Sequence, residues 1–126
     1  MMRLGVIGYG GRIHGMICGP FRAIEPDLRV VAVVDPDEEG ARARLAPDDQ
    51  EGVRFFDDID TMMRTAELDA VAVGTRCNLH SDIACQLAQY DVPLFLEKPV
   101  AITMDQATAL ERAFENSRCP VVVSFP

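Results

Sequence analysis

At 126 residues the chain is the size of one domain, and two domains of the usual ~100–200 residues do not fit. Twelve Lys and Arg against 20 Asp and Glu leave a net charge of −8, a field that repels nucleic-acid backbones and anionic lipid surfaces alike. With 48% hydrophobic residues the composition suits a packed fold, yet the apolar runs fall far short of the ~20 residues of a membrane helix.

Residues 3–8 (RLGVIG) open the chain as a short apolar run that ends in glycines, with no export signal before it, so a cytoplasmic location is expected. The next segment contains Gly19-Pro20, which is expected to form a loop or kinked turn, with Pro20 opening a second helical piece. Residues 28–34 (LRVVAVV) form a second run, closed by Asp35-Pro36, and residues 38–45 follow as a charged, Ala-rich helix. Residues 53–56 are a weaker strand, 58–65 a short helix, and 69–73 (DAVAV) a fourth strand. Residues 80–90 place Ile83, Ala84, Leu87 and Ala88 on one helical stripe. A fifth strand is predicted at 93–96 and a sixth at 120–125, separated by a helix over 103–117. Thr103 and Gln106 stand at capping-box spacing at its start. Runs apolar at consecutive positions suit strands buried on both faces. The alternation predicts a doubly wound α/β fold, a mostly parallel six-stranded Rossmann sheet with helices on both faces.

The four cysteines, Cys18, Cys77, Cys85 and Cys119, form neither a CxxC pair nor a Cys/His metal pattern. They are expected to be free, buried or half-buried thiols, with no metal site; Cys77 is the exception, set apart by its place in a segment with a functional reading.

The first strand runs into Gly8-Tyr9-Gly10-Gly11-Arg12-Ile13. In a dinucleotide fold the first glycine allows a tight strand-to-helix turn and the second lets a pyrophosphate approach the backbone. The third lets helix and strand pack closely, and here that position is Ile13, so the fingerprint is incomplete. Asp35 at the end of the second strand restores the context: a carboxylate there accepts hydrogen bonds from the adenosine ribose and repels a 2′-phosphate. NAD is therefore expected in preference to NADP. Were NADP to bind, Arg12 or Arg42 would be the groups available to neutralise its extra phosphate.

Two later segments are more specific: Gly74-Thr75-Arg76-Cys77-Asn78-Leu79-His80 after the fourth strand, and Glu97-Lys98-Pro99 after the fifth. With them the whole chain resembles the N-terminal domain of the glucose–fructose oxidoreductase / inositol dehydrogenase (Gfo/Idh/MocA) family. The resemblance implies that Gly8, Tyr9, Gly10, Gly11, Arg12 and Ile13 wrap the pyrophosphate and that Asp35 holds the adenosine ribose. Thr75 and Arg76 would line the middle of the cofactor, with His80 behind them and Glu97 near the nicotinamide ribose. Lys98 would stand beside the reacting carbon, as the catalytic residue. The family usually has Pro in place of Arg76 and often Asn in place of Cys77.

Family members carry a second α/β domain that supplies the substrate pocket and the oligomer interface. Residues 1–126 are thus expected to be the dinucleotide-binding domain alone, binding cofactor without turnover. The parent protein would be a homo-oligomer transferring hydride to or from a sugar, polyol or related alcohol or carbonyl compound. A non-catalytic nucleotide-binding regulatory module is the alternative, and Glu97-Lys98-Pro99 discriminates, because simple binding needs no lysine at the nicotinamide end.

Overall fold

The computed structural model describes residues 1–124. Strand β1 (Met2–Ile7) leads through the glycine turn into a continuous helical run: α1 (Gly11–Met16), a π-helical turn (Ile17–Phe21) and α2 (Arg22–Ile24). Of the loop or kinked turn expected at Gly19-Pro20, the loop does not form, and the chain passes through a π-helical turn instead. Pro20 sits inside the π turn, whose wider hydrogen-bonding pattern tolerates a residue that has no N–H to donate.

Strand β2 (Leu28–Val34) has its predicted bounds, and α3 (Glu38–Arg44) follows, its N-terminus capped by the Asp37 side chain. Helix α4 (Pro47–Gln50) is an addition to the predicted elements. Its signal was present, since Pro47 at the first position with Asp48 and Asp49 behind it is a helix start. Asp49 is buried, paired with Arg22, and accepts the Val30 N–H at 3.1 Å, which ties α4 to α2 and β2. Strand β3 (Arg54–Phe55) is only two residues long. Then come α5 (Ile59–Thr65), β4 (Ala70–Val73), a 3-10 turn (Cys77–Leu79), α6 (His80–Leu87), β5 (Leu94–Glu97), α7 (Met104–Phe114) and β6 (Val121–Ser124). The sixth strand was expected to reach Phe125, which lies outside the described residues.

The sheet order is β3-β2-β1-β4-β5-β6, with every neighbouring pair parallel. Alternate residues of each strand enter opposite layers: Val6 packs with Tyr9, Ile13 and Ile17, whereas Ile7 packs with Val73, Ala84 and Leu96. Consecutive apolar residues therefore both find a core. Helix α7 lies at the sheet's outer edge and has no fully buried residue. Thr103 caps it as expected, accepting the Gln106 N–H at 3.1 Å, but the Gln106 side chain reaches back to Ile102 N–H and not to Thr103 itself.

The cysteines are free; Cys18 is exposed, contrary to the expectation of burial, and Cys77, the exception to that expectation, is exposed as well. Both lie in helical turns with no second layer over them. Cys119 is buried and Cys85 half-buried, and desolvation raises the pKa of each thiol. Under native conditions a thiol reagent should modify Cys18 and Cys77 quickly, and Cys85 and Cys119 only slowly until denaturant is added, because the thiolate is the reacting form. Site-resolved mass spectrometry reads the order, and equal rates at all four would contradict this packing.

Candidate functional site

Parallel pairing brings four strand ends to one level. Ile7 is opposite both Val34 and Val73, and Val73 is opposite Leu96, so the next residues, Gly8, Asp35, Gly74 and Glu97, stand in a row at the carboxyl edge. The chain changes direction of winding between β1 and β4, and a crevice opens where such strands part. A cavity of about 380 Å³ occupies that place, with Gly8, Gly10 and Asp35 on one side and Gly74, Thr75 and Arg76 on the other. Pro36, Arg44 and Leu79 complete its walls. Another cavity, about 270 Å³, lies by the amino ends of the strands and is lined almost wholly by apolar side chains, with Glu25 its one charged group. Only the first holds polar groups of several elements facing one space.

The glycine turn owes its shape to close packing. Gly8 has φ +77°, and a Cβ there would lie 2.8 Å from the Thr75 backbone nitrogen. Gly10 caps α1 in extended conformation, without any side-chain cap on the helix's first N–H groups. Ile13, at the third glycine position, is buried in the core. The space it needs comes from Gly74, where a Cβ would sit 2.6 Å from the Ile13 Cβ and 2.6 Å from the Gly8 carbonyl oxygen. The close approach of helix and strand is kept, with the missing side chain on the strand instead. The Tyr9 ring is also in the core, its hydroxyl 2.9 Å from His14 Nδ1, and burial pushes the phenol far above its ordinary range, so it stays neutral. Tyr9 and Ile13 thus bring only their backbone to the turn, since the core takes up both side chains. His14, given no role by the sequence, orients Tyr9.

Asp35 is held on both oxygens. Oδ2 accepts the Tyr9 N–H at 2.8 Å and Oδ1 the Asp37 N–H at 2.9 Å, which locks the turn after β1 to the turn after β2. On the same wall Arg44 donates from Nη1 to the Tyr9 carbonyl at 3.2 Å. Sequence reasoning missed Arg44. The signal was its spacing: Arg44 follows buried Ala41 by three residues and shares its face of α3.

At the other end Glu97 is 8% exposed, with Oε2 3.1 Å from Arg12 Nε and Oε1 without a partner among the described residues. Arg12 is thereby turned toward β5 and lies outside the cavity wall, as do Gly11, His80, Glu97 and Lys98. The His80 ring is buried, its Nδ1 2.9 Å from the Pro99 carbonyl oxygen and its Nε2 2.9 Å from that of Thr75. It fastens the turn after β4 to the segment after β5. Lys98, the chain's only lysine, is exposed, and the peptide bond to Pro99 is cis. Glu97 is buried at the end of β5, and Lys98, the next residue, is exposed.

This strand order, the glycine turn and the acid after β2 define a dinucleotide-binding Rossmann domain. The chain belongs to the Gfo/Idh/MocA family: residues 2–125 match the family described as "Oxidoreductase family, NAD-binding Rossmann fold". It is 29% identical over 125 residues to the rhizopine catabolism protein MocA of Rhizobium meliloti, covering 98% of this chain and 37% of that protein. Inositol 2-dehydrogenase 2 of Saccharopolyspora erythraea is 32% identical over 121 residues, 96% of this chain and 35% of the relative. Myo-inositol dehydrogenase from Lactobacillus casei, solved in complex with NAD(H) and myo-inositol, superposes with a TM-score of 0.83 at 26% identity, over 98% of this chain and 36% of that one. The chain thus spans little more than a third of the curated relatives' length. No helix of the described residues is long and apolar enough to cross a membrane.

Proposed function

We propose that the carboxyl-edge crevice binds NAD(H), and that the chain is the cofactor half of an oxidoreductase acting on a sugar, polyol or related alcohol or carbonyl compound. The single observation behind this is the row of Gly8, Asp35, Gly74 and Glu97 at one sheet level. The residues fit the cofactor: two missing Cβ atoms make room over the turn, and the unpartnered Glu97 Oε1 is an acceptor waiting for a hydroxyl. Gly10 and Gly11 would offer backbone N–H groups to the pyrophosphate, Asp35 would accept from the adenosine ribose, and Thr75 and Arg76 would flank the middle of the ligand. Glu97 would accept from the nicotinamide ribose, with Arg12 holding its other oxygen. His80 would keep the Thr75 and Pro99 backbones in place. Lys98 would hold the proton that the substrate oxygen gains or loses. The nicotinamide ring supplies the hydride chemistry when bound.

A second domain in the parent protein would cover the crevice, bring the substrate pocket and form the contacts of a homo-oligomer; residues 1–126 by themselves would bind cofactor without turnover. The location would be cytoplasmic, and neither nucleic acid nor membrane would be a partner.

Because Asp35 stands at the ribose position, NAD+ should bind more tightly than NADP+, and calorimetric titration of the protein with each tests this. Equal or tighter NADP+ binding would overturn the preference. If neither binds, the cofactor reading itself fails.

A further inference from the structure

His80 is 2% exposed, and both of its ring nitrogens face backbone carbonyls. Nδ1 lies 2.9 Å from the Pro99 oxygen and Nε2 2.9 Å from the Thr75 oxygen. A carbonyl oxygen only accepts, so each contact asks for a proton on the nitrogen. A neutral imidazole carries one N–H and one bare nitrogen, so either tautomer sets one lone pair against another at 2.9 Å. Turning the ring over puts carbon where each nitrogen stands and leaves both carbonyls without a donor. Among the described residues no other group donates to either oxygen. Only the doubly protonated ring satisfies both contacts.

We infer that His80 is a buried imidazolium, and that in this form it is a positioning residue for the proposed reaction: one N–H holds the crevice wall at Thr75 and the other holds the chain just past Lys98. The charge follows from the geometry alone, whereas the positioning role rests on the dinucleotide reading of the crevice. Thr75 matters because its backbone nitrogen stands 2.8 Å from the place of a Gly8 Cβ, so a shift of this turn is a shift against the glycine turn. On the elements that meet at the ring, the charged and titratable groups are Arg76 and Cys77 after β4, Glu97 and Lys98 at the end of β5, Asp82 on α6 and Asp105 on α7. Arg12 of α1 joins them through its pair with Glu97. None of these hydrogen-bonds the ring among the described residues. Burial and the helix N-terminus oppose a cation at the first residue of α6; two charge-assisted bonds, and Asp82 in the same helical turn, favour it. A neutral ring frees one arm, so the link from Thr75 to the segment after Lys98 exists only with the second proton.

The test is the proton count on the ring, read by NMR on wild-type protein labelled with heavy nitrogen at histidine. At about pH 7.5 an ordinary imidazole is mostly neutral, and its protonated and bare nitrogens differ widely in shift. Both His80 nitrogens should instead show the shift of a protonated nitrogen, each with its own attached proton. His14→Gln leaves His80 as the only histidine and so assigns the signals. A bare nitrogen on His80 at that pH overturns the inference. The positioning role is read from His80→Gln, whose single side-chain nitrogen reaches only one of the two sites. NAD+ should bind to it about threefold or more weakly than to wild type. Unchanged NAD+ affinity in folded His80→Gln overturns the role. Should that variant fail to fold, the wild-type spectrum still decides the inference. A wild-type protein that shows both protons but binds no NAD+ contradicts the crevice reading and leaves the charge in place, so the two failures are told apart.

Discussion

Lys98→Ala should lower kcat in the proposed oxidoreductase by about 10²–10⁴-fold, the usual cost of removing a positioned acid or base. The NAD+ dissociation constant should stay within about threefold of wild type, because the glycine turn and Asp35 are untouched. The side chain stands at the carboxyl edge, one residue beyond the inward-facing Glu97, and its backbone direction is held through the Pro99 carbonyl bound to His80. Lys98→Arg should rescue poorly, since a guanidinium keeps the charge but does not release its proton. As the only lysine in the chain, Lys98 can also be probed chemically: amine reagents should reach it and the amino terminus alone within these residues. Turnover by Lys98→Ala within about threefold of wild type would show that the proton chemistry lies elsewhere.

Gly8→Ala should destabilise the protein by about 2–6 kcal/mol in denaturant unfolding, from left-handed strain and overpacking together. That is a large share of the ~5–15 kcal/mol that holds a domain folded. A methyl group at φ +77° would lie 2.8 Å from Thr75 N and 2.9 Å from Thr75 Cα, backbone atoms that cannot move without shifting the turn after β4. Gly52 is the internal control, because its φ is +89° but nothing lies within 4 Å of a Cβ there. Gly52→Ala should therefore cost only the conformational part, about 1–2 kcal/mol. If Gly8→Ala is no worse than Gly52→Ala, the close approach of the two turns is not what holds the crevice in shape.

Much of this arrangement was legible in the chain. The apolar runs located all six strands to within a residue or two, because strands buried on both faces carry their signal in consecutive positions. Asp35 was singled out by its place after β2, whereas His80 was singled out only through the family resemblance. The π turn at Pro20 was not legible, since local rules read Gly-Pro as a break, and only packing of Ile17 and Phe21 against the sheet keeps the segment helical.

The doubly wound parallel fold, the crevice at the carboxyl ends, and the membership of Gly8, Gly10, Asp35 and Thr75 in its walls are consequences of the sequence itself. They depend on hydrophobic period, glycine placement and strand order, which are written locally. The tertiary structure alone decided that Arg44 reaches the Tyr9 carbonyl, that Gly74 makes room for Ile13, and that the Tyr9 ring enters the core. Each depends on residues far apart in the chain meeting across the sheet. Arg12 and Glu97 are 85 positions apart, and no spacing rule announces that the two will pair across the sheet.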